Sequence, residues 1–206
     1  KHGGLGIPFF KPREFNLDII KRFKAAEDAG ALAVGVDIDA ASFKTMSLKG
    51  QAVGPKTIDE LQELKSYLKV PFILKGIMNV ESALSAVEAG ADAIVVSNHG
   101  GRVMDHMPGT AEVLPEIASA IAGRIKVLAD GGIREGIDII KMLALGADAV
   151  MIGRPICIAA FGAGQEGVSF YLQEKVKELK KAMILTGCGS IDKIDPSIIF
   201  RKKGER

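Results

Sequence analysis

A histidine and an arginine three residues apart, His99 and Arg102, stand in the stretch SNHGGR with two glycines between them. An imidazole can take a proton near neutral pH, and a guanidinium can grip a carboxylate with two parallel hydrogen bonds. A base beside a carboxylate clamp is what oxidation of a hydroxy acid requires. Asp37 closes an apolar run at VGVD and is expected to hold the imidazole and stabilise its cation. Asp39, two residues on, reads as a cap or a solvent-facing group, and His2 and His106 as structural histidines. Lys75 ends FILKG after three apolar residues, so its stem is expected inside and its ammonium at an opening, where it suits developing negative charge on a ligand. A snorkelling or carboxylate-paired lysine is the alternative there.

Two glycine-rich stretches carry a second kind of chemistry. ADGGIREG (129 to 136) and IGRP (152 to 155) each close a strand with glycine and supply an arginine, Arg134 and Arg154. Glycines let backbone amides approach an anion, a helix N-terminus adds a favourable dipole, and each guanidinium can fork onto phosphate oxygens. Alone, either stretch also reads as a tight turn with a solvated arginine. On consecutive strands the two together predict a phosphate site.

Stepping from these residues to the elements that carry them, AGALAVGVD, AGADAIVVSN and LGADAVMIGR repeat one phrase: a helix end, a glycine, a buried strand. VPFILKGI, IKVLADGG and the shorter GIPFFKP add three more strands, so strands begin near residues 6, 32, 70, 92, 125 and 148. Amphipathic helical patterns fill the gaps. Six βα units in series predict a parallel sheet wrapped by helices. Polar and glycine residues load five strand ends: Asp37, Lys75, Ser97 to His99, Asp130 to Gly132, and Gly153 with Arg154. Only a barrel brings all five to one mouth, so a TIM (β/α)₈ barrel is expected over an open doubly wound sheet. Eight strands are needed, and the chain is read as a single barrel domain over 1–206 holding strands three to eight, with two strands expected before Lys1.

Composition limits the partners. The 206 residues are 48% hydrophobic and carry 27 Lys and Arg against 25 Asp and Glu, scattered apart from the terminal RKKGER. Neither nucleic acid nor an anionic membrane is expected, and no apolar run approaches the ~20 residues of a membrane span. Two cysteines, Cys157 and Cys188, point to a reducing cytoplasm. No metal site is expected.

SNHGGR together with FILKGI, LADGGIREG and IGRP resembles the flavin mononucleotide (FMN)-dependent 2-hydroxy acid dehydrogenase and oxidase family, the group of glycolate oxidase, lactate oxidase and mandelate dehydrogenase. The similarity runs from about residue 14 to LTGCGSI at 185 to 191. It implies FMN as cofactor, a small 2-hydroxy acid as substrate and a homo-oligomer. Residue by residue it implies His99 as the base, Asp37 as its partner, and Arg102 on the substrate carboxylate. It further implies Lys75 beside the flavin N1 and C2 carbonyl, with Ser97 also on the cofactor, and Asp130, Gly131, Gly132, Arg134, Gly153 and Arg154 around the ribityl phosphate. The sequence departs from the family on the substrate side. GIPFFKP lacks the family's Gln and Tyr, and the loop after the VGVD strand has Lys44 and Lys49 where the family has an arginine, Lys44 falling near its position. A flavin barrel of the isopentenyl diphosphate isomerase kind, without net oxidation, shares the phosphate stretches, but the His and Arg of SNHGGR argue against it. A non-catalytic flavin-binding relative is the third reading.

Overall fold

The computed structural model describes residues 5–200. Six strands, β1 (Phe9–Phe10), β2 (Val34–Asp37), β3 (Phe72–Ile77), β4 (Ala93–Val96), β5 (Lys126–Ala129) and β6 (Ala149–Val150), lie in sequence order in one sheet, every neighbouring pair parallel. Helices α1 (Asn16–Asp28), α2 (Lys44–Ser47), α3 (Ile58–Ser66), α4 (Val80–Glu88), α5 (Thr110–Ile121), α6 (Gly136–Ala144) and α7 (Arg154–Leu185) occupy the connections. This is a partial TIM barrel. Among the described residues, β1 pairs only with β2 and β6 only with β5.

Local chemistry sets the helix starts. Thr57 and Glu60 form a reciprocal capping box at α3, and the Asn79 side chain accepts the Ser82 amide at α4. The α7 span, not read as a helix from the sequence, is broken where Ala163 and Gly164 leave helical geometry. No helix among the described residues is long and apolar enough to cross a membrane.

The strands have two faces of different character. Val34, Val36, Phe72, Leu74, Ile94, Val96 and Val127 point outward and pack with Ile19, Phe23, Leu64, Leu114 and Ile117 of the helices. The alternate residues Ala33, Ile73, Ala93 and Val95 point inward and meet Phe9, Leu128 and Met151. Side chains alternate along a strand, so following the inward set to the strand ends gives Asp37, Lys75, Ser97 and Asp130. The polar residues at the strand ends are thus the continuation of the inner layer. Gly35 belongs to that layer as a space: a Cβ there would overlap the ring of Phe9, which crosses it.

Candidate active site

Three of the four inward residues at the strand ends, Asp37, Lys75 and Asp130, form the floor of a cleft of about 290 Å³, whereas Ser97, expected on the cofactor, is fully buried beneath it. Asp37 stands opposite Lys75 in the parallel register of β2 and β3. Lys75, only 8% exposed, donates to Ser97 Oγ at 2.9 Å and has Asp37 Oδ1 and Asp130 Oδ2 each at 3.6 Å. A buried ammonium is tolerable only with such partners. One oxygen of each carboxylate, Asp37 Oδ1 and Asp130 Oδ1, is buried and accepts no hydrogen bond within the protein.

His99 forms one wall. Its φ is +57°, a left-handed conformation unusual for a side-chain-bearing residue. The Ser97 hydroxyl accepts its amide at 3.1 Å, and the Phe43 ring meets the imidazole edge-on at 4.7 Å between centroids. Nδ1 lies 3.0 Å from both carboxylate oxygens of Asp39. The ring is therefore fixed through Nδ1, with Nε2 as its second nitrogen.

That contact corrects the expected pairing of His99 with Asp37. Asp37 Oδ2 instead takes Lys11 Nζ at 2.6 Å, and Asp39 is neither a simple cap nor solvent-facing, its side chain being 8% exposed. The reason lies in the backbone. After Asp37 the chain turns into a 3₁₀ segment, Ile38–Ala40, that crosses onto β3. It can do so because β3 has an irregularity between Lys75 and Ile77 and a glycine at its centre. Gly76 has φ +106°, and a Cβ there would overlap the Asp39 side chain and come 2.9 Å from its backbone nitrogen. Asp39 and Gly76 are thus site residues the sequence reading passed over.

Arg102 lines the cleft and donates from Nε to the His99 carbonyl at 3.1 Å, which holds its guanidinium beside His99. Lys44 does not reach the site. It is the exposed first residue of α2 and is absent from the cleft lining. Lys11, also outside the cleft lining, is the cation that reaches a lining residue, tied to Asp37 and 5.0 Å from the Phe43 ring centroid. It follows Phe9 by two residues, so the alternation that turns Phe9 inward also predicts Lys11, a signal available in the sequence.

At the other end of the cleft stand Gly132, Arg134, Gly153 and Arg154. Gly131 and Gly132 have φ of +93° and +74°, and Gly132 and Gly153 have nothing within 4 Å of where a Cβ would sit. Their backbone is open to close approach. Arg154 reaches back to the loop after β4, its Nη2 3.2 Å from a Cβ built on Gly100. The expected dipole at α6 is corrected by its partners: Asp138 accepts the Arg134 and Glu135 amides at 3.0 Å each, and Glu178 accepts the Gly136 amide at 2.7 Å. The helix end that faces the cleft is α7, through Gly153, Arg154 and Pro155. His2 lies outside the described residues, and His106, at φ +62°, sits in the exposed loop before α5.

The arrangement fits an anionic, hydroxyl-bearing cofactor with a polar ring edge. Two arginines and an open glycine backbone suit a phosphate, the orphaned Asp130 Oδ1 suits a hydroxyl donor, and Lys75 supplies a buried donor on the floor. It is not arranged for a metal. Asp37, Asp39 and His99 place ligand-type atoms within 4.8 Å of one another, but Asp37 is held by two lysines and Asp39 by the imidazole.

A partial (β/α)₈ barrel with a buried histidine, three arginines and an open glycine backbone around a cleft at its strand ends defines the scaffold. The chain belongs to the FMN-dependent dehydrogenase family, which it matches over residues 42–201. It is 35% identical over 236 residues to the peroxisomal (S)-2-hydroxyacid oxidase GLO3 of Arabidopsis thaliana, covering 98% of this chain and 64% of that one. It is 50% identical over 143 residues to an L-lactate oxidase of Nostoc sp., covering 69% and 39%. The structure superimposes on mandelate oxidase crystallised with (S)-2-phenylpropionate at a TM-score of 0.84 and 37% identity, over 93% of this chain and 62% of that one. The chain thus spans less than two thirds of the length of these relatives.

Proposed function

We propose that the protein oxidises an L-2-hydroxy acid to the 2-oxo acid with FMN as the electron acceptor. The observation that carries this is the geometry at His99: a buried imidazole fixed through Nδ1 by Asp39, with Arg102 tethered to its own carbonyl. Bound FMN would supply a two-electron acceptor for the hydride leaving the substrate Cα. Arg134, Arg154 and the Gly132 and Gly153 backbone would hold its phosphate, with Asp130 and Lys75 along the floor and Ser97 holding Lys75 from below.

His99 Nε2 takes the hydroxyl proton. Asp39 holds the ring in place and offsets the positive charge that forms on it. Arg102 binds the substrate carboxylate, its Nε already spent on the His99 carbonyl and its terminal nitrogens left to fork. Lys11 is a poor second clamp while Asp37 holds it at 2.6 Å. Both cysteines are free, as a reducing compartment leaves them. In this reading two further parallel strands meet the open edges of β1 and β6 to complete the eight a barrel requires.

The test is anaerobic mixing of the flavin-loaded protein with small and aromatic L-2-hydroxy acids. Bleaching of the flavin absorbance is expected. A flavin that stays oxidised with every acid would leave a non-catalytic flavin-binding protein or a barrel without net oxidation.

A further inference from the structure

Asp37 is shared between two ammonium groups. Its Oδ2 is 2.6 Å from Lys11 Nζ, while the buried Oδ1 accepts no hydrogen bond and has Lys75 Nζ at 3.6 Å. Lys75 cannot escape this carboxylate, because the register of β2 and β3 sets the two residues side by side on the inner face. Asp130 approaches Lys75 equally, at 3.6 Å. Lys75 on the cleft floor is therefore flanked by two carboxylates, and how much of its charge a ligand feels depends on how Asp37 divides itself between the two lysines.

We propose that Asp37 is a positioning residue that acts through Lys75, withdrawing positive charge from the cleft floor and so making a bound flavin harder to reduce. This rests on the function proposed above. With the phosphate anchored at Arg134 and Arg154 and the base at His99, the floor around Lys75 lies between them, where the redox-active ring has to sit. Reduction adds two electrons and, with uptake of one proton, leaves the flavin one negative charge richer. An ammonium beside it favours that change, and a carboxylate opposes it. Lys11 is the counterweight: it holds the other Asp37 oxygen by the shorter contact and keeps that carboxylate from pairing fully with Lys75.

The test is the equilibrium reduction potential of the flavin-loaded protein, measured against a reference dye with dithionite as the electron source. Asp37→Asn is expected to make reduction at least about tenfold more favourable, a rise of about 30 mV for a two-electron couple. Lys11→Met, which leaves Asp37 to Lys75 alone, is expected to lower the potential. A purely structural role would not move the two variants in opposite directions. An unmoved or lowered potential in Asp37→Asn overturns the inference. Should that variant fail to fold, Lys11→Met decides: a lower potential supports the inference, an unmoved or higher one overturns it. A wild-type protein that takes up no flavin brings down the proposed function and this inference with it, whereas bound flavin with unmoved potentials overturns this inference alone.

Discussion

Replacing Arg134 and Arg154 together by alanine removes both cations from the glycine end of the cleft while leaving His99, Lys75 and the inner strand layer untouched. Each guanidinium would make a charge-assisted contact worth ~1.5–3 kcal/mol. Both side chains are exposed, so the lower end applies, and two groups on one phosphate are not fully additive. A combined loss of about 3 kcal/mol corresponds to ~10²-fold weaker binding. The assay is calorimetric titration with FMN, and with riboflavin as the control that lacks the phosphate. The wild type should prefer FMN by a factor of that order, and the double variant should bind the two alike, with riboflavin affinity unchanged. Unchanged FMN affinity in the double variant would place the phosphate elsewhere. An equal loss for both ligands would show that the arginines support the loops rather than the anion.

Asp39→Asn should retain flavin but slow its reduction by a 2-hydroxy acid ~10- to 10²-fold, the equivalent of one hydrogen bond to a charged group; stopped-flow reduction within twofold of wild type would detach Asp39 from the base. Gly136→Ala should destabilise the protein by ~1–3 kcal/mol, because a Cβ there would overlap the Glu178 and Leu179 backbone where α6 meets α7; thermal unfolding at an unchanged Tm would refute that contact. The Lys175 side chain and the Gly136 amide hold the Glu178 carboxyl below the ordinary glutamate range. A carboxyl lowered in the folded state stabilises above its unfolded value and loses that contribution as pH falls through its folded one. Glu178→Gln should therefore be less stable than wild type near neutral pH and show a shallower loss between pH 5 and pH 3, as read from urea midpoints.

The barrel was legible because its signals are local. Helix end, glycine and apolar strand recur in one phrase, and polar residues at five strand ends point to a common mouth. The partner of His99 was not legible in this way. Asp37 ends its strand and Asp39 lies two residues beyond it, where a carboxylate reads as a cap or a solvent-facing group. The choice depends on the 3₁₀ turn crossing the β3 irregularity at Gly76, a contact between segments distant in sequence. Lys44 misled for a related reason, since proximity in sequence to the expected arginine says nothing of where α2 sits. Lys11 could have been found by counting two residues from Phe9. The α6 terminus looked free for an anion because Asp138 sits just inside the helix it caps and Glu178 arrives from α7, 42 residues away.

The proposed oxidation depends most directly on His99 as the base. His99→Gln leaves the phosphate end of the cleft intact, so the variant should purify with flavin at wild-type stoichiometry, and anaerobic stopped-flow should show reduction by a 2-hydroxy acid slowed by at least the ~10²-fold of a lost general base. Flavin reduction at a near wild-type rate in that variant would remove His99 from the chemistry.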